Sequence, residues 1–310
     1  MANALYTDTV QKVYIAYYGR AADPVGLASW EDALTTANGD LASIMTSFGT
    51  SAEATTLFGS LSNTAKVAAL YQQMFGRAPD AAGSTYYVAQ LDAGTMTAAS
   101  IAQNVSDGST GGDATILTNK LAVAKAYTLA VDTTAEISAY AGDAAATTAR
   151  TLLATVDATT VTATFDVATT IAALVTTAEA ATPKTLALTV GVDALTGGSG
   201  NDTFSAVSST LSSAKTLGTS DVIDGAGGTD TLTVAVAASF TGMATAGSIK
   251  NIENINLTNS GTVARTFDAS GVTGVTGYTI DATTGLVNLT DLNVTPTITL
   301  SNFAKAGAFS

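Results

Sequence analysis

The sequence predicts an α+β protein built from separate domains: an all-helical amino-terminal domain over residues 1–183 and a β domain over residues 184–310, solenoid or sandwich-like in form. Three observations carry this. Apolar residues recur at helical spacing in two aligned segments near the amino terminus. Pro183 closes a long stretch rich in Ala, Leu and Thr. Beyond it, short runs of β formers are separated by turns of Gly, Asn, Asp and Ser.

The helical reading starts at Val10, Val13, Tyr14 and Tyr17, which share one helix face. Gly19 suits the left-handed position that ends a helix, and Asp23 before Pro24 suits the cap and first residue of the next. Residues 14–34, YIAYYGRAADPVGLASWEDAL, align without gaps on residues 71–91, YQQMFGRAPDAAGSTYYVAQL. Tyr14/Tyr71, Gly19/Gly76, Arg20/Arg77, Ala21/Ala78, Asp23/Asp80, Gly26/Gly83 and Leu34/Leu91 are identical, and Trp30/Tyr87 are both aromatic. Each copy therefore reads as helix, tight turn, helix, with Arg20 and Arg77 placed to bind terminal carbonyls or to pair with Asp23 and Asp80. A fainter third echo begins at Asn119, and residues 115–182 read as further helices.

After Pro183, residues 185–190 (TLALTV), 231–236 (TLTVAV), 252–257, 278–281 and 297–300 read as strands. Thr outward and Val, Ile or Leu inward suits strands whose apolar residues fill one interior.

Charged residues make up only 12% of the 310, and the formal net charge is -13, which leaves little basic surface for nucleic acid. The absence of Cys and His removes thiolate and imidazole chemistry, and with it most familiar hydrolase sites. Glu31 and Asp32 point to different faces of one helix and make no acid/base pair, so no enzyme is expected. No apolar run reaches membrane-spanning length. The amino terminus lacks a basic segment followed by a continuous apolar core, so export is expected to use another signal.

The segment Leu195-Thr-Gly-Gly-Ser-Gly-Asn-Asp-Thr-Phe204 fits the calcium-binding nonapeptide G-G-x-G-x-D-x-U-x at every fixed position from Gly197 to Ser205. A second copy covers residues 224–232, where Gly225, Gly228, Asp230 and Leu232 fit and Ala226 replaces a glycine. Calcium takes hard oxygen ligands, so the first candidate shell is Asp202 with carbonyls of Gly198 and Gly200 and nearby Asn201. The second is Asp221, Asp224 and Asp230 with the carbonyl of Gly227. Asp193, Asp268 and Asp281 are candidate helpers. Because the copies are not in tandem, the ions are expected in separate loops. The competing reading is a glycine-rich hairpin in which Asp202 serves as a turn residue.

Arg20, Trp30, Arg77 and Tyr87 are candidate glycan contacts, since aromatic faces stack on sugar rings and Arg binds phosphate or carboxylate. Aromatics at this spacing also read as core, with Arg and Asp tying the helix junction.

The helical repeat, through YYGRAADPVGLASW above all, resembles DUF4214, a small helical domain of bacterial secreted and surface-layer proteins. The order LTGGSGNDTF, VIDGAGGTDTLTV, IENINLT resembles RTX-type, calcium-dependent surface-layer (S-layer) proteins of Gram-negative bacteria. That resemblance implies a non-enzymatic structural protein at the cell surface, exported by type I secretion and self-assembling with calcium. Its helical part would be anchored to lipopolysaccharide. The alternative is a secreted, calcium-stapled adhesin or matrix protein that binds surface glycans. Residues 301–310 are not expected to form the carboxy-terminal β-roll and export signal of that family.

Overall fold

The computed structural model describes residues 4–281 and 285–301. The segment from 302 onward lies outside the described residues. The chain divides into two compact units, Met1–Thr177 and Ala178–Ser310. Helices occupy the amino-terminal part and parallel strands the carboxy-terminal part, an α+β arrangement.

The first unit contains α1 (Thr7–Val13), α2 (Pro24–Thr36), α3 (Ala42–Thr50), α4 (Ala52–Phe58), α5 (Asn63–Phe75) and α6 (Ala81–Asp92). It continues with α7 (Ala98–Asp107), α8 (Gly111–Ala130), α9 (Thr134–Ala139), α10 (Gly142–Ala154) and α11 (Ala168–Ala181), whose last residues belong to the second unit. The two sequence copies use the same junction. Gly19 and Gly76 end their helices at φ 70° and 69°, a conformation open to glycine at little cost. Asp23 and Asp80 then cap the next helix by accepting the N–H of Gly26 at 2.6 Å and of Gly83 at 2.7 Å.

One feature escapes the helical spacing argument. Tyr14–Tyr18 forms a π turn that extends α1 and buries all five of its residues. Its rings build the first core together with Trp30 of α2: Tyr14, Tyr18 and Trp30 each lie within 5.1 Å, centroid to centroid, of the fully buried Phe48. Buried Gln11 ties α1 to α8 and to the turn before α2. Its amide donates to Thr128 Oγ1 at 2.7 Å and its carbonyl accepts Ala22 N–H at 3.1 Å, while Thr128 Oγ1 donates to the Ala22 carbonyl at 2.6 Å. That closed set leaves no polar atom of the bridge unpaired.

The second unit contains β1 (Thr185–Ala187), β2 (Ala194–Gly198), β3 (Thr203–Ser208), β4 (Val222–Ala226), β5 (Thr231–Val236) and β6 (Ser248–Lys250). After these come β7 (Asn254–Thr258), β8 (Arg265–Asp268), β9 (Gly277–Asp281), β10 (Val287–Thr290) and β11 (Thr297–Ser301). Every ladder among the described residues is parallel. The odd strands form one six-stranded sheet in the order β1-β3-β5-β7-β9-β11, while β2-β4-β6 and β8-β10 form two smaller sheets.

Register follows the alternation of the sequence. Phe204, Leu232, Ile255 and Tyr278 lie side by side across β3, β5, β7 and β9, as do Ala206, Val234, Leu257 and Ile280. These residues are buried and their Thr, Ser and Asn neighbours along each strand are less so. Leu195, Ile223 and Ile249 pair across the β2-β4-β6 sheet and pack against the same core. Among the described residues the row ends at β11, where Ile298 and Leu300 are exposed.

Candidate functional site in the stacked turns

The two glycine-rich motifs are 28 residues apart, and 28 residues carry the chain from β3 through β4 to β5, next to where it started. Gly198 therefore pairs with Ala226, and Thr203 with Thr231. The two copies are neighbours, because their separation along the chain equals one return to the same sheet.

Main-chain contacts bind one turn to the other. Gly227 N–H donates to the Gly198 carbonyl at 2.8 Å, and Thr229 N–H to Asn201 Oδ1 at 2.8 Å. The first glycine of each motif is required by close approach. A Cβ on Gly197 would strike Asp202 Oδ2 and the Gly225 carbonyl, and one on Gly225 would strike Asp230 Oδ2 and the Asn251 carbonyl. Gly200 likewise lies against the Ala181 carbonyl.

The acids that open the strands of the large sheet form a chain of carboxylate-to-backbone bonds. Asp202 accepts Lys184 N–H at 2.6 Å and Gly198 N–H at 2.5 Å. Asp230 Oδ1 accepts Asp202 N–H at 2.7 Å, and Glu253 Oε2 accepts Asp230 N–H at 2.7 Å. Asp202 and Asp230 are both 1% exposed. Each such bond to a charged acceptor contributes about 1.5–3 kcal/mol net. The sequence reading missed Glu253, although its place directly before a strand matches Asp202 and Asp230.

Asp230 differs from Asp202 in one oxygen. Asp202 Oδ2 takes the Gly198 N–H, whereas Asp230 Oδ2 is buried with no hydrogen-bond partner. The reason lies at Ala226, the residue in register with Gly198. Ala226 adopts φ 70° and turns its N–H to Asp224 Oδ1 at 3.0 Å. Burial pushes the Asp230 carboxyl above the usual carboxylate range, and the charges of Asp202 and Glu253 add to that rise.

Asp221 and Asp224 stand apart from Asp230. Asp221, fully buried at the start of β4, accepts Asp193 N–H at 3.0 Å and Gly218 N–H at 2.7 Å. Asp193 in turn accepts Thr189 N–H at 2.8 Å, so a second, shorter acid stack runs beside the first. Asp224 pairs with Lys250 at 2.9 Å and accepts the Asn251 side-chain amide at 2.8 Å. The Lys250 hydrogen bond holds the Asp224 carboxyl low against the opposing effect of burial.

The oxygens of these residues are thus largely engaged by N–H groups, and among the described residues no group of three or more acids is gathered as a metal would need. The oxygen left over is Asp230 Oδ2, beside the Asn251 carbonyl. The Asp202 turn joins β2 and β3, which belong to different sheets, so it is not the turn of a hairpin.

The four candidate glycan residues separate into two environments. Arg20 is 11% exposed and grips Glu53 with two bonds, at 2.8 and 2.7 Å; Arg150 adds a third at 3.0 Å. Trp30 packs on Phe48. Arg77 grips Asp113 in the same two-pronged way, at 3.1 and 2.6 Å, but is 45% exposed. Tyr87, bonded to Asn104 Oδ1 at 2.6 Å, lines with Arg77 an open cleft of about 370 Å³.

The family of domains of unknown function DUF4214 matches residues 45–109, which run from within α3 to just past α7 and include the second copy of the repeat. No curated protein matches the chain. No helix of the described residues is long and apolar enough to cross a membrane.

Proposed function

We propose that this chain is a structural, non-catalytic protein of the bacterial cell surface, of the S-layer kind, which is exported and assembles with copies of itself in a calcium-dependent manner. The observation that carries the reading is the stacking of the two nonapeptide turns, with Asp202 N–H bonded to Asp230 across 28 residues. A coil built by such returns is a solenoid, whose rungs repeat one set of contacts and whose ends extend by adding more of the same.

Calcium enters this reading at the Asp230 turn. Asp230 Oδ2 and the Asn251 carbonyl would contribute to its shell once the turn opens to admit water and further oxygens, and the ion would neutralise a carboxylate crowded by Asp202 and Glu253. Asp202, Asp221 and Asp224 would support the site by fixing the main chain of the turns. One carboxylate suits the weak affinities of extracellular sites, which bind at millimolar calcium and stay empty in the cytosol.

A low density of charge supports repeated contacts between copies, since little charge is desolvated at each. The Arg77 and Tyr87 cleft favours a second reading, an adhesin that uses the helical unit on surface glycans. Adding purified protein with calcium to bare cells separates the two: an ordered coat supports the S-layer reading, and diffuse attachment abolished by free surface glycan replaces it with the adhesin.

A further inference from the structure

The two arginine junctions of the helical unit are alike except in what covers them. Arg20 lies against Tyr14, Tyr18 and Tyr140, with guanidinium-to-centroid distances of 5.0, 5.7 and 5.7 Å. Arg77 lies against Tyr71 and Phe75 at 5.5 Å each, the counterparts of Tyr14 and Tyr18. The third ring is what differs. Tyr140, following α9, places its ring by Arg20 and donates its hydroxyl to the Ala21 carbonyl at 2.6 Å. Ala78 occupies the place of Ala21, and its carbonyl accepts Arg77 Nη1 at 2.8 Å just as Ala21 accepts Arg20 at 2.9 Å. No tyrosine hydroxyl meets the Ala78 carbonyl among the described residues.

The adjoining helix is also less covered. α2 buries Glu31 and Leu34, whereas its counterpart α6 has no fully buried residue and packs on the core through the half-buried Tyr87, Val88 and Leu91. α6 carries Tyr86, 55% exposed and packed edge-on against Tyr87. Tyr87 links the arginine and tyrosine corners, since it lines a cleft with Arg77 and packs edge-on against Tyr86.

We propose that the α6 face is a contact between two copies of this chain, in which Tyr86 of each copy covers Arg77 of the other as Tyr140 covers Arg20. A two-fold arrangement satisfies both corners at once, since each copy supplies one ring and one arginine. The ring would take the cation–π position over the guanidinium, and its hydroxyl the free lone pair of the Ala78 carbonyl. Ala81, Ala82 and Ala89 add little bulk to α6 and allow the two helices to approach closely. The proposal rests on the self-assembly reading for its choice of partner and not on calcium.

The test is sedimentation equilibrium of the full chain in EDTA, comparing wild type with Tyr86→Ala, Tyr86→Phe and Arg77→Gln, each checked for native helix content by circular dichroism. The expected result is a wild-type dimer whose dissociation constant rises tenfold or more in Tyr86→Ala and Arg77→Gln, and less in Tyr86→Phe. Combining Tyr86→Ala with Arg77→Gln is expected to raise the dissociation constant no further than either change alone, since both remove one contact. A wild type that is monomeric throughout in EDTA overturns the proposal, as does a dimer indifferent to Tyr86. Loss of glycan binding in Arg77→Gln with dimerisation unchanged overturns it in favour of a sugar at the same corner. Calcium-dependent sheets formed equally by Tyr86→Ala would leave the assembly reading standing while this contact fails.

Discussion

Asp230 receives the main-chain N–H of Asp202 at 2.7 Å, yet its own second oxygen, unlike that of Asp202, is buried without a donor. Two aspartates at the same position of two successive turns are therefore not equivalent. Asp202→Asn is expected to cost about 2 kcal/mol, because an amide N–H would face a main-chain N–H that now has a carboxylate to bind. Asp230→Asn should be neutral or stabilising, since the new amide can donate to the Asn251 carbonyl while its oxygen keeps the Asp202 bond. Chemical denaturation of the two variants, in EDTA, measures the difference; equal losses would contradict it.

The raised Asp230 carboxyl also fixes a pH dependence. A carboxyl that holds its proton more tightly folded than unfolded adds stability as pH falls through the raised value, fully so below the ordinary 3.8. Asp224, held low by Lys250, acts in the opposite sense: its contribution is present above 3.8 and lost as pH falls through the depressed value. Melting temperature against pH should therefore gain an acid-side decline in Asp230→Asn that wild type partly offsets, and lose part of that decline in Lys250→Met.

Ala226 holds a left-handed conformation that costs an L-residue about 1–2 kcal/mol. Ala226→Gly removes the strain at the expense of a more flexible unfolded chain, for a net gain of about 0.5–1 kcal/mol. The urea midpoint should rise with the slope unchanged.

Arg20 and Arg77 make the same pair of bonds to a carboxylate at different depths. Arg20→Gln should cost about 3 kcal/mol, since it leaves Glu53 poorly compensated in a largely buried setting. Arg77→Gln, at an exposed pair, should cost no more than about 1 kcal/mol. Thermal unfolding distinguishes them.

Lys120, 2% exposed and donating to the Gln73 carbonyl at 2.5 Å, is pushed down to about 8 by burial. Its ammonium is harder to hold folded than unfolded, so stability should rise as pH climbs from about 8 toward the ordinary 10.5. Lys120→Met should flatten that rise in a pH series of denaturation curves.

Much of this arrangement is written in local chemistry. Gly19, Asp23 and Pro24 announce a helix junction because left-handed backbone, a cap and a fixed φ each demand particular residues, and Gly76 with Asp80 repeats the announcement. Alternation around Phe204, Leu232 and Ile255 likewise foretells buried strands. What is not legible is adjacency. Nothing local says that Asp202 and Asp230 stack, that Glu253 continues their chain, or that Asp221 and Asp224 face elsewhere, because those facts depend on how many residues the chain spends before returning to its sheet. Burial of Arg20 and exposure of Arg77 are hidden for the same reason: the covering ring, Tyr140, is 120 residues away.

Calcium titration of the purified chain, followed by light scattering and electron microscopy with EDTA reversal and a magnesium control, tests the central claim most directly. Ordered sheets or tubes that form at millimolar calcium, dissolve in EDTA and do not form with magnesium are the predicted result. A chain that stays unassembled across that range would contradict the S-layer reading, whether or not the ion binds.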